Sequence, residues 1–181
     1  LHVVEGTGIS RIADLKGRTV TVMSYQDTSY FVLLGLLASA GLTKNDVEVQ
    51  AAGPVGVWQQ PASGKAQAFA GPVDFAISAR AAGARVRTLA ADPIIPTTTQ
   101  AILASDDMIV RRPELIQRLV RATLAGLADI MRDPKGSVPA FIAGSPTFKG
   151  REAYLEDVFA QYNEYTYQGG GALGAINADK L

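Results

Sequence analysis

The sequence predicts an α/β fold with a largely parallel sheet in its first hundred residues and a nearly all-helical remainder. Two observations carry this. Short β-rich runs alternate with helical stretches as far as about residue 98, the pattern of strands joined through crossover helices. After Pro113 the apolar residues fall almost entirely at helical spacing.

Leu1 to Val4 reads as a strand end, followed by the glycine-containing loop EGTG. In GISRIADLKGRTVTV, Ile12 and Leu15 anchor one helical turn and Gly17 marks a turn before the strand Thr19 to Met23. A polar loop, SYQDTS, leads into a helix with Tyr30, Leu33, Leu34 and Leu37 at i, i+3, i+4 and i+7. Gly41 stands where a left-handed cap closes that helix. Val47, Val49 and Ala51 alternate as a strand would, and Gly53-Pro54 breaks it. Val55 to Gln60 begins a short helix ended or kinked near Pro61. Gly64 to Ala70 fits no single pattern; Val73 to Ser78 and Val86 to Ala90 read as short strands, and Pro93 to Pro96 as an irregular loop. Gln100 to Ala104 is expected as a strand continuing into Met108 to Val110. The longest helix is expected over Glu114 to Arg132, with Pro113 at its first turn and Asp133-Pro134 stopping it. Val138 to Ala143 and Gly150 to Tyr165 are two further helices, and Gly169 to Gly171 is a break.

At 181 residues, with 48% hydrophobic, the chain holds enough apolar material for a real core. Its 17 basic and 17 acidic residues cancel, which favours neither nucleic acid nor an anionic membrane surface. With no cysteine, disulfides and thiolate metal sites are excluded. The longest largely apolar run, Phe31 to Leu42, is too short to span a bilayer. Catalytic motifs are absent: His2 is the only histidine, no G-x-S-x-G elbow or Walker sequence exists, and EGTGIS lacks the third glycine of a dinucleotide fingerprint. Asp106-Asp107 in an extended chain would point to opposite faces, so no metal site is expected. Neither cofactor nor catalysis is predicted.

The strongest site candidate is the stretch Thr19 to Gly41. Strand, hydroxyl-bearing loop and helix succeed one another, aiming unpartnered first-turn amides past the strand end. In open parallel sheets, ligands bind at such turns. Several residues keep two readings. Trp58 is a stacking platform or a packing residue. Tyr25 suits a ligand better than Tyr30, which starts the apolar stripe. Asp74 reads as a local backbone acceptor before it reads as a ligand contact, and Thr97-Thr98-Thr99 as an exposed β-prone run.

GISRIADLKGRTVTV, the helix ending ASAGL, NDVEVQ, GKAQAFAGPVDFAIS and QAILASDDMIVRRPELIQRLVRATLAGLADIMRDP together resemble a family. It is the type II periplasmic solute-binding proteins, in the branch serving ABC importers of sulfonates, nitrate and thiamine-pyrimidine precursors. The resemblance implies one complete lobe with a parallel-rich sheet plus the helical remainder of a second lobe. Residues 1–12 would be a hinge segment, 13–98 the complete lobe, and 99–181 the return strand and helices of the incomplete other lobe, whose opening part would precede Leu1. It further implies solute capture in an inter-lobe cleft, no catalysis, delivery to importer membrane subunits, and a periplasmic or surface-anchored place in the cell. If the shortened second lobe is real, its apolar helices predict a homodimer. Two alternatives share the fold: the effector-sensing domain of a transcription regulator, and a pyrimidine-precursor-synthesising enzyme.

Carried over by position, the implied ligand-facing residues are Ser24, Tyr25, Asp27, Thr28 and Ser29, then Pro54 and Trp58, then Asp74 through Ser78. Asp27 departs from the anion-binding members. Its carboxylate would repel a sulfonate or nitrate by about 1 kcal/mol, or else it caps the helix. Either way a neutral, cationic or aromatic ligand is favoured over a strong anion.

Overall fold

The computed structural model describes residues 1–91, 93–95, 101–167 and 172–175. The chain divides into two compact units, Leu1–Thr97 and Thr98–Leu181.

In the first unit, β1 (His2–Val4), β2 (Thr19–Val22), β3 (Glu48–Ala51), β4 (Ala68–Phe69) and β5 (Val86–Thr88) form one sheet in the order β3-β2-β4-β1-β5. β2 runs parallel to β3 and β4, whereas β1 is antiparallel to both its neighbours, β4 and β5. The helices are α1 (Thr28–Ser39), α2 (Gly53–Ala62) and α3 (Val73–Ala81). The period-2 alternation of the strands feeds two cores. Val20, Val22, Ala68 and Ala70 join Leu33, Leu36 and Leu37 of α1 in one cluster. Phe69 joins Val57 of α2, Ala76 and Ala79 of α3 and Val86 in the other. The sheet is therefore covered on both faces, α1 on one and α2 with α3 on the other. Burying the leucines of α1 stabilises the layer by about 1.5–3 kcal/mol each.

Gly41 takes φ +72° and closes α1, while the Leu42 N–H returns to the Leu37 carbonyl at 2.8 Å. α2 ends at Ala62, one residue past Pro61, as expected for a helix stopped near that proline. Proline has no N–H for the carbonyl four residues back, which is Val57. The buried Thr21 hydroxyl donates to that same Val57 oxygen at 2.6 Å and satisfies it.

Two expected strands are helices. Residues 73–78 belong to α3, because Pro72 supplies an extended N-cap and Val73, Ala76 and Ile77 are buried at helical spacing. The strand of this region is β4, two residues long, inside the ambiguous stretch. Residues 101–105 form no strand, and α4 (Asp106–Arg111) replaces the expected Met108–Val110 run. The Ser105 hydroxyl accepts from the Met108 N–H at 3.2 Å, and Asp106 and Asp107 favour a helix start, which overrides the β preference of Ile109 and Val110. The expected positions Thr97, Thr98, Thr99, Gln100 and the run Gly169–Gly171 lie outside the described residues.

The second unit holds α4, α5 (Pro113–Arg132), α6 (Val138–Gly144) and α7 (Glu152–Tyr165). Its core gathers Val138, Leu155 and Phe159, with Phe141 edge-on to Phe159. The Asn163 side chain donates to the Ile130 and Met131 carbonyls and caps α5. No residue of α5 is buried; Leu115 and Leu119 of its apolar stripe are 38% and 52% exposed.

Candidate functional site

The parallel strands β2, β3 and β4 end at one edge of the sheet, and each passes directly into a helix: β2 into α1, β3 into α2, β4 into α3. Three helix N-termini therefore face the same edge, each with first-turn amides that no helical carbonyl reaches.

The three turns are stitched together. The Ala52 and Gly53 N–H groups donate to the Val22 and Met23 carbonyls at 2.9 and 3.0 Å. The Ser29 hydroxyl reaches the Ala70 carbonyl at 3.3 Å, tying α1 to the turn after β4. Tyr25 folds back so that its hydroxyl donates to the Val49 carbonyl at 3.1 Å, and its ring meets Tyr30 edge-on at 5.3 Å. Tyr25 stays 47% exposed, and on α1 Phe31, whose ring lies 5.8 Å from that of Tyr30, is 58% exposed.

Asp27 is the N-cap of α1: its carboxylate accepts the Ser29 N–H at 2.9 Å and the Ser29 hydroxyl. Of the two readings of Asp27, the structure shows the cap. Ser29 is thereby committed to protein partners. Thr28 is exposed, and its hydroxyl points to no protein acceptor among the described residues. Ser24 is half-buried, its hydroxyl accepting the Gln26 N–H at 3.3 Å. Pro54 is exposed in the first turn of α2, next to Val55 at 54% exposure.

Ser24, Tyr25, Asp27, Thr28, Ser29 and Pro54 thus lie at one sheet edge, and Asp74 sits in the first turn of α3 at the same edge. Trp58 and Ser78 lie deeper. Trp58 packs half-buried against the Val57–Phe69–Ala76 cluster, and the Ser78 hydroxyl donates to the Asp74 carbonyl one turn back at 3.0 Å. Val55 and Phe31 were not expected at this edge. Their only sequence signal is an apolar residue within the first turn or so of a helix that follows a strand.

The charge pattern of the edge is one-sided. Segments 19–43, 45–64 and 66–79 contain no lysine or arginine, so the three turns and the first turns of their helices carry no cation; Arg80 lies in the last turn of α3, at its far end. Asp27 and Asp74 are the acidic residues at the strand ends. Among the described residues no group of three histidine, aspartate or glutamate side chains is placed to hold a metal ion. None of the described helices is long and apolar enough to cross a membrane.

The fold is similar to that of solved periplasmic binding proteins. It superimposes on the alkanesulfonate-binding protein SsuA of Xanthomonas axonopodis pv. citri, solved with MOPS bound, with a TM-score of 0.69 at 22% identity over 88% of this chain and 53% of that one. SsuA of Escherichia coli, a periplasmic aliphatic sulphonate binding protein, gives a TM-score of 0.65 at 22% identity over 98% of this chain and 54% of that one. The family model described as NMT1/THI5 like matches residues 1–137, and the chain belongs to that family. A curated relative, the riboflavin-binding protein RibY of Chloroflexus aurantiacus, is 28% identical over 130 residues, 70% of this chain and 36% of RibY. The chain spans about half the length of the solved relatives and about a third of RibY.

Proposed function

We propose that this chain is part of a solute-binding protein that captures a small molecule at the β2–β3–β4 edge and delivers it to the membrane subunits of an ABC importer, without catalysis, in the periplasm or at the cell surface. The observation that carries the reading is the convergence of three helix N-termini on one edge of a parallel sheet. Free amides and the Thr28 hydroxyl would hold polar groups of the solute, and Tyr25, Val55 and Phe31 would cover its apolar face.

The solute class follows from charge. A sulfonate brought to this edge meets Asp27 and Asp74 and no cation from segments 19–79 other than Lys44 and Lys65, which lie in the connections before β3 and β4. An uncharged or cationic molecule with a planar apolar face fits better. Riboflavin, the ligand in the name of RibY, has an uncharged planar ring system of that kind; MOPS, bound to SsuA, carries the sulfonate this edge disfavours.

The test is a calorimetric titration of the full-length protein with riboflavin and, separately, with MOPS. Riboflavin binding with at least a hundredfold preference over MOPS is expected, and replacing Thr28 and Ser29 together by alanine should abolish it. Preference for MOPS would overturn the solute class, and an unchanged affinity in the double variant would sink the site assignment.

A further inference from the structure

His2 is the only histidine, and it is 1% exposed in β1, the strand between β4 and β5. Its register partners are Phe69 of β4 and Thr88 of β5. The ring lies 4.8 Å from the Phe69 ring, on the sheet face covered by α2 and α3. A leucine would fill that space without bringing a polar ring into an apolar layer. Both ring nitrogens are used: Nε2 lies 3.0 Å from the Gly71 carbonyl oxygen and Nδ1 3.0 Å from the Thr88 hydroxyl. A carbonyl only accepts, so Nε2 carries the proton; in a neutral ring Nδ1 then accepts from Thr88.

Gly71 is the middle of the turn Ala70–Gly71–Pro72 that joins β4 to α3, one of the three turns at the candidate site. Phe75 leaves no room for a side chain there: a Cβ added to Gly71 would lie 2.5 Å from its Cδ2. One residue earlier, the Ala70 carbonyl accepts the Ser29 hydroxyl. Side chains and turn thus run in sequence from Thr88 through His2, Gly71 and Ala70 to Ser29 and its partner Asp27.

We propose that His2 is a positioning residue for the solute site. Through Nε2–H it fixes the Gly71 carbonyl, and thereby the direction in which the first amides of α3 face the edge. It touches no solute. The relevance to binding rests on the site assignment above; the hold on the turn does not.

The two are tested apart. In the full-length protein without solute, amide hydrogen exchange is followed at Ala70, Phe75 and Ala76, with Val49 to Ala51 of β3 as internal reference. His2→Asn, too short to reach Gly71, should accelerate exchange at the turn at least tenfold while the reference changes less than twofold. His2→Gln, whose amide reaches the Nε2 position, should restore most of the protection. Equal acceleration throughout the sheet in both variants, or no difference between them, would overturn the proposal. Should His2→Asn fail to fold, Thr88→Val reads the same amides, since it removes only the contact that orients the ring. A nitrogen NMR spectrum of the wild-type ring at pH 7 should show the Nε2–H tautomer, and the Nδ1–H form would overturn it independently. Wild-type titration with riboflavin judges the site assignment separately.

Discussion

The Asp27 carboxylate accepts the backbone N–H of Ser29 at 2.9 Å, so the acid in the loop after β2 serves the helix that follows it. Asp27→Ala should cost about 1 kcal/mol of stability, whereas Asp27→Asn, which can still accept that bond, should cost only a few tenths. Urea unfolding of the two variants checks this. Because the amide also removes a negative charge from the edge, Asp27→Asn should bind MOPS more tightly than the wild type does. Unaltered MOPS affinity would mean that Asp27 has no part in rejecting anions.

Thr28 and Ser29 should separate when changed singly. The Ser29 hydroxyl is engaged with Asp27 and Ala70, so Ser29→Ala should lower stability by about 1 kcal/mol along with affinity. Thr28→Ala should leave the urea midpoint in place and weaken solute binding severalfold. Equal losses of stability in both would contradict the division of roles.

Trp58 should behave as a packing residue. It lies against the Val57–Phe69–Ala76 cluster, more than one helical turn from the start of α2. Trp58→Phe should cost about 1–2 kcal/mol through the lost ring volume while the affinity for riboflavin changes less than twofold. A loss of affinity without a loss of stability would return Trp58 to the site.

Acid should destabilise the first unit in two stages. Burial pushes the His2 imidazole down to about 3, so the folded protein keeps it neutral while the unfolded chain takes up a proton below its ordinary value of 6.5. The unfolded state then binds more protons, and stability falls as pH drops from 6.5 towards 3, by up to about 1.4 kcal/mol per pH unit. Above 6.5 His2 has no effect. Asp14 acts lower: the backbone N–H and hydroxyl of Ser10 hold its carboxylate down at about 2, so its contribution is present above about 3.8 and is lost as pH falls through 2. Thermal melts from pH 7 to 4 should flatten in His2→Gln. Identical slopes in variant and wild type would show that the ring titrates in the fold.

How much was legible in the sequence depended on how far each signal was local. The stretch from Thr19 to Gly41 carries its own instructions: a β-branched run, an Asp-x-Ser cap, leucines at helical spacing and a glycine for positive φ. The amphipathic helices α5 and α7 were equally plain. The segment around α3 was not, because Val73, Phe75 and Ile77 favour strands and only the packing of Ala76 and Ala79 beneath the sheet settles them as helix. β4 escaped because two residues, Ala68 and Phe69, are too few for any periodicity. Of the candidate site, the loop residues were proposed from their hydroxyls, and the structure places them at one sheet edge. The inward placement of Trp58 and the pairing of His2 with Gly71 and Thr88 could not be read, since both depend on which strands lie side by side.

The strand order has a consequence for how the protein is made. β1 precedes the other four strands of its sheet in the chain, yet its neighbours are β4 and β5, and the His2–Thr88 contact joins residues 86 apart in sequence. Until Thr88 has emerged, His2, Val3 and Val4 have no second edge to pair with, and the turn after β4 lacks its anchor. Within this unit β1 therefore gains its partners only after β4 and then β5 have been made, so the sheet is completed by late, long-range pairings.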